Sequence, residues 1–339
     1  MVIPIFILIL YFSYTSLKKE RKAFSKKTAC YIVLLLSLIV ALRPEKMPDY
    51  QNYIGLFEYE FDNKELGYLI LVKISKKIFG TPLALFFIGA VLSTGLKVSV
   101  INRYSNLVWL SIAVYLSNLF ILHDMIQLRC AIASGFILWA IFYRFNDRPK
   151  YAIACIFAAT MFHYSSVIAF VVFILKPTRK NTIIYSIALI ISYILAIFNV
   201  GFGYLWGLIT FGEYANLWEV YSLKLSEDEL SDINIYNAIF IFRYILCFIF
   251  LSNANKLTGY CVYALPLVKI YCVSVIIFLL LTDIPVLAFR LSELLQIVEI
   301  ILLPMLCYMF KSHRLGVLFV LCICLSFFLM NVFYSKLLL

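Results

Sequence analysis

The strongest constraint on this chain is how persistently it turns apolar. Stretches such as "CYIVLLLSLIVAL" (30–42) and "LGVLFVLCICLSFFLM" (315–330) recur from one end to the other. A helix that crosses a bilayer needs roughly 20 such residues. Of 339 residues, 64% are hydrophobic and 14% charged, against about 25% charged in soluble domains. No polar stretch is long enough for a separate soluble domain. The chain therefore reads as an all-α, polytopic membrane helix bundle. It forms one integral domain over 1–339, with external loops near 43–80 and 204–236.

Charge and cysteine usage remove other classes. The net charge of +11 fits basic residues collected in cytoplasmic loops. Nucleic-acid binding would need a clustered basic face in a motif context, and none is visible. The nine cysteines fall mostly inside apolar segments, with no CxxC pair and no metal-like spacing. They read as small apolar fillers. No metal or other cofactor is expected. The opening "MVIPIFILILYFSYTSL" has its basic cluster behind it, the reverse of a signal peptide. It is expected to remain as an anchor with its N-terminus outside.

Loop charge then orders the crossings. "KKERKAFSKK" (18–27) is placed in the cytoplasm. Spans follow near 1–17, 29–42, 81–101, 107–122, 126–143, 182–203, 237–252, 261–281, 292–310 and 315–335. The stretch 151–175 is read as two short helices broken at "HYSS" (163–166). That choice puts every basic loop inside and the acidic 204–236 loop outside. About twelve crossings result. Broken helices survive in lipid only beside protein or a wet cavity, so the break predicts a cavity near His163. The segment 65–79 is read as an amphipathic helix on the outer surface, because Lys73, Lys76 and Lys77 interrupt it.

Under this topology the polar residues gather on the external face: Arg43, Asp49, Tyr50, Tyr53, Glu65, Tyr68, His123, Asp124, Gln127, Arg129, His163, Asp283 and Arg290. In "HDMIQLRC" (123–130), His123, Asp124 and Gln127 share one face if the turn is α-helical. Arg129 opens an apolar helix and faces the bundle interior or snorkels to headgroups. "FRLSELLQIVEI" (289–300) holds Arg290 and Glu293 at i,i+3. Glu299 is a substrate-path charge or a partner for Lys269, Arg243 or Lys97. His163 is a catalytic group or a satisfied interior histidine. Arginines at the mouth of an apolar bundle suit a lipid pyrophosphate, which guanidinium grips through paired donors. Tyrosines beside them offer faces and hydroxyls to sugar rings.

The order of these elements resembles the EpsG/Wzy-like family of polysaccharide polymerases. The matching elements are Asp49-Tyr50 with Tyr53, Glu65-Gly67-Tyr68, Gln127-Arg129-Ala133, Phe162-His163-Tyr164-Ser165 and Arg290-Glu293, over roughly residues 1–310. Pro48 stands where the family pattern has a glycine, and "RLSELL" lacks an aromatic residue that usually follows the late arginine. The resemblance implies a glycosyltransferase of the bacterial inner membrane with lipid-sugar transferase architecture. It would join repeat units carried on undecaprenyl pyrophosphate at the periplasmic face, most closely as an O-antigen polymerase. Asp49, Arg129 and His163 would be catalytic. Arg43, Tyr50, Tyr53, Glu65, Tyr68, Gln127, Arg290 and Glu293 would bind substrate. A chain-length regulator and a flippase would be partners, beside membrane lipid. The alternatives are a capsule or exopolysaccharide polymerase, or a lipid-linked oligosaccharide flippase. A flippase should show a charged path and related halves, and no internal repeat is visible.

Overall fold

The computed structural model describes residues 2–18, 23–59, 65–176, 182–201, 233–335 and 337. Its described residues are helical throughout and fall into two compact units, Met1–Val172 with Ile297–Leu339, and Phe173–Gln296. Most of the acidic 204–236 loop, and parts of the 18–27 and 176–180 basic loops, lie outside the described residues.

The first unit carries α1 (Val2–Lys18), α2 (Lys26–Ala41), α3 (Tyr50–Glu58), α4 (Leu66–Phe79), α5 (Pro82–Tyr104), α6 (Val108–Ser117), α7 (Leu128–Phe145) and α8 (Pro149–Phe162). Local signals set several ends. Ser25 Oγ accepts from Thr28 N at 3.1 Å and caps α2. Pro82 and Pro149 sit in the first turns of α5 and α8, where a missing N–H costs nothing. Gly80, at φ 65°, closes α4. Helix α4 buries Gly67, Tyr68, Leu71, Val72 and Ser75 on one side and exposes Lys73 and Lys77 on the other. It is amphipathic, as its lysines imply. The break at 163 is also present. Helix α8 stops at Phe162, His163 is extended, and a 3-10 turn runs over Tyr164–Phe170.

The second unit packs α10 (Thr182–Ile197), α11 (Ala238–Tyr260) and α13 (Pro285–Gln296) around α12 (Ala264–Leu280), with the short α9 (Val171–Ile174) at its start. Asn237 Oδ1 caps α11 by accepting from Ile239 N at 2.9 Å. The chain then re-enters the first unit as α14 (Glu299–Leu302), a 3-10 stretch over Leu303–Met309, and α15 (His313–Leu329), which ends in a π-turn over Met330–Tyr334.

The expected twelve crossings are not supported. Four helices among the described residues are long and apolar enough to cross a membrane: 82–104, 128–145, 238–260 and 313–334. A fifth counts if α6 and the π-helix Phe120–Ile126, bent by 64°, form one broken span. These still mark a multi-pass membrane protein. Other apolar segments, such as 182–197 and 264–280, run only 10–17 residues as helices. At 1.5 Å per residue that is about 15–26 Å, short of a ~30 Å hydrocarbon core. An apolar run in sequence does not say how much of it will be one helix.

Candidate functional site

The broken span 108–126 is the scaffold of the site. A break frees main-chain carbonyls, and in an apolar bundle each needs a donor. Asn331 Nδ2 donates to Ser117 O at 3.3 Å and to Asn118 Oδ1 at 3.1 Å. At the other end, Arg43 donates from Nη1 to Met125 O at 2.8 Å and from Nη2 to Asp124 O at 3.1 Å. Its Nε donates to Val40 O at 3.0 Å, and the guanidinium lies 4.3 Å from the Phe86 ring centroid. Arg43 is 4% exposed, and burial pulls its pKa down to about 10 against the opposing pull of Tyr53 and Asp124. Three of its N–H groups thus go to the protein's own carbonyls and hold the break together.

Within the break, residues 120–126 follow the wider π-helical path, whose hydrogen bonds run i to i+5. The α-helical face expected for His123, Asp124 and Gln127 does not form. Asp124 turns inward instead. Its Oδ2 accepts from Lys97 Nζ at 2.6 Å and from Tyr115 Oη at 2.7 Å, and its Oδ1 accepts from Ser93 Oγ at 2.5 Å. Lys97 and Asp124 are both fully buried. Lys97 is thus committed to Asp124, not to Glu299. Nothing in the sequence marked this cluster, because its members are separated by up to a full helix.

Immediately after the break, Gln127 is the residue preceding α7 and Arg129 lies in its first turn. Arg129 Nη1 donates to Glu65 Oε2 at 2.5 Å. The other carboxylate oxygen, Oε1, faces His163 Nδ1 at 3.6 Å, beyond hydrogen-bond length. Three of the candidate residues, from the start of α4, the start of α7 and the end of α8, therefore meet. Gly67 makes the meeting possible, since a Cβ there would come within 2.9 Å of Met161 O. Burial alone would push the Glu65 carboxyl up, but His163 and Arg129 outweigh it and hold the group down at about 2.

Tyr53 and Tyr68 back this cluster. Tyr53 Oη accepts from the Arg129 main-chain N–H at 3.4 Å, and the Arg129 guanidinium stands 5.7 Å from the Tyr68 ring centroid. Both rings pack with Phe57, Leu71, Leu85, Phe86 and Leu128. They are 3% and 1% exposed, packed behind the arginine. They seat it. Burial raises the pKa of both phenols, and both remain neutral.

The remaining candidates stand differently. Tyr50 is half-buried with its ring 5.3 Å from Phe86. Asp49 is exposed, sits at φ 62° as the residue before α3, and accepts from Asn52 Nδ2 at 3.2 Å. The left-handed residue of this turn is thus the aspartate itself, a type that tolerates that region, and Pro48 carries no such demand. Gln127 is half-buried. Arg290 and Glu293 belong to the second unit, on α13, the first exposed and the second half-buried. Among the described residues no three His, Cys, Asp or Glu side chains gather as metal ligands would.

No curated protein and no solved structure matches this chain. Residues 26–338 match the model of the EpsG family. The matched stretch contains α2 through α15 and every residue of the cluster just described, and so the chain belongs to the EpsG family, a family linked to polysaccharide biosynthesis.

Proposed function

We propose that this protein is a glycosyltransferase that polymerises lipid-linked glycan repeat units, in the O-antigen branch of the family. It acts at the periplasmic face of the bacterial inner membrane, on undecaprenyl-pyrophosphate-linked oligosaccharide. The observation that carries the reading is Arg129. It opens an apolar candidate span, and its side chain is 28% exposed. A partly exposed guanidinium at the mouth of a membrane helix suits a diphosphate whose lipid tail stays in the bilayer.

In the proposed reaction, an acceptor sugar hydroxyl attacks the anomeric carbon of the donor glycan. A new C–O bond forms, the bond from that carbon to the pyrophosphate oxygen breaks, and its electron pair leaves on the phosphate. Arg129 stabilises the charge developing there. The hydroxyl proton passes to the Glu65–His163 pair. Asp49, Tyr50 and Gln127 of the first unit are proposed to contact sugar, as, separately, are Arg290 and Glu293 of the second. A chain-length regulator and the flippase that delivers repeat units are the proposed partners.

The test is the lipopolysaccharide ladder of a deletion strain. A single repeat capped on the core is expected. No repeat at all would point to a flippase or an earlier enzyme, and an unchanged ladder would move the protein to a capsule or exopolysaccharide.

A further inference from the structure

The cation that would grip the leaving diphosphate already holds an anion. Glu65 Oε2 lies 2.5 Å from Arg129 Nη1. We infer that Glu65 is a built-in competitor for the diphosphate, occupying Arg129 in the empty protein and yielding it to the incoming lipid by turning toward His163. This rests on the reading of Arg129 as the diphosphate ligand and adds a means of controlling it.

Three features of the geometry carry the inference. The pair is open on one side only: the Arg129 side chain is 28% exposed and that of Glu65 6%. A ligand can therefore reach the guanidinium, while the carboxylate sits behind it. The carboxylate also has a second berth. His163 Nδ1 has no hydrogen-bond partner and stands 3.6 Å from Glu65 Oε1. A movement of roughly 0.7 Å would bring that contact to ordinary length. Finally, the surroundings are fixed, so the exchange involves one side chain. Tyr53 holds the Arg129 main chain, and the close approach of Gly67 to Met161 fixes the start of α4 against α8.

The groups that interact with Glu65 are Arg129, His163 and Tyr68, and of these His163 Nδ1 stands 3.6 Å from the carboxylate oxygen that Arg129 does not hold. Apparent affinity is the intrinsic affinity scaled by the fraction of protein competent to bind. A carboxylate that occupies Arg129 nine-tenths of the time therefore weakens binding about ten-fold. In return, the half-buried guanidinium is never left bare. The contact between the carboxylate and His163, 3.6 Å here, also tightens when a diphosphate is present.

The experiment measures binding of geranyl diphosphate, and separately of inorganic pyrophosphate, to the full-length protein in lipid nanodiscs by calorimetry. Glu65→Gln is expected to bind both probes at least about ten-fold more tightly than the native protein, while losing polymerising activity. Glu65→Asp, whose shorter carboxylate reaches Arg129 less well, should fall between them and keeps the test open if the glutamine variant does not accumulate. Arg129→Ala should bind neither probe. If the native protein and Glu65→Gln both bind neither probe, the diphosphate reading of Arg129 fails. If the native protein binds and both Glu65 variants bind equally or more weakly, Glu65 is a structural support for Arg129, and the competitor role alone is overturned. A gain confined to the geranyl probe also overturns it, because competition for a guanidinium acts on the anion and not on the tail.

Discussion

Lys97–Asp124 and Arg129–Glu65 are both cation–carboxylate pairs of nearly equal length, 2.6 and 2.5 Å, yet their surroundings differ completely. The first is sealed, with both side chains at 0% exposure, and the carboxylate receives two further donors from Ser93 and Tyr115. The second is partly open, its arginine side chain 28% exposed, and its carboxylate keeps an oxygen short of a full hydrogen bond to His163. A sealed, fully satisfied pair has nothing left to offer a ligand. An open, incompletely satisfied pair does. The two pairs are joined by the short break-to-helix segment 124–129, so the sealed pair fixes the place where the open one works.

The largest effect should come from breaking the sealed pair on one side. Lys97→Met leaves Asp124 buried without its counter-charge, which for buried pairs costs about 3–5 kcal/mol. We expect membrane abundance to collapse. Pairing it with Asp124→Leu should recover much of that loss, since a matched apolar replacement removes both desolvated charges. Quantitative immunoblotting of membranes checks both, and normal abundance of the single variant would mean that the cluster is not the anchor of the break.

Breaking the open pair should do the reverse. Arg129→Ala is expected to keep near-normal abundance and to cut polymer formation by about 10²–10³-fold, the usual loss when a transition-state charge stabiliser is removed. Arg129→Lys should recover only part of it, because an ammonium lacks the paired donors. Long chains made at the native rate by the alanine variant would reduce Arg129 to a headgroup anchor.

Much of this was readable in the sequence, and the unread parts share a cause. The break at His163 was visible because 151–175 is too laden with loop-charge consequences to be one span. The amphipathic α4 was visible because Lys73, Lys76 and Lys77 interrupt an apolar run. Glu65, Arg129 and His163 were each singled out, although no spacing rule could show that they meet. What stayed hidden depends on main-chain and tertiary partners. Arg43 spends its donors on the carbonyls of Asp124 and Met125, and a sequence displays no carbonyls. The shared α-helical face of His123, Asp124 and Gln127 is absent because residues 120–126 adopt a π-helical path, which shifts every i,i+3 and i,i+4 relation. The crossing count failed for a related reason. Apolarity marks residues that avoid water, and it marks the largely exposed 182–197 and the largely buried 299–309 alike.

Acid tests the open pair. The Glu65 carboxyl is held at about 2, below its ordinary 4.5, so the folded protein binds that proton less readily than the unfolded chain. Its contribution to stability is complete above about pH 4.5 and is lost as the pH falls toward 2. Thermal melting of the purified protein at about pH 5 and about pH 3 should show a drop that Glu65→Gln lacks. Parallel drops in both proteins would place the acid-sensitive group elsewhere.

The smallest effect is expected at the lip. Asp49 is exposed and stands in the left-handed region at φ 62°. Its side chain accepts a hydrogen bond from Asn52 Nδ2 at 3.2 Å. Asparagine tolerates the same backbone, and its amide oxygen can accept the same bond. Asp49→Asn therefore changes only charge and proton acceptance. If the proton goes to Glu65 and His163, polymer formation by purified enzyme supplied with lipid-linked repeat units should fall by less than about ten-fold, with abundance unchanged. A residue acting as the base would lose ~10²-fold or more. A loss of that size at normal abundance would transfer the base to Asp49. It would leave the Glu65–Arg129 pair with binding alone, and the comparison between the sealed and the open pair would then concern where the diphosphate sits and not where the proton goes.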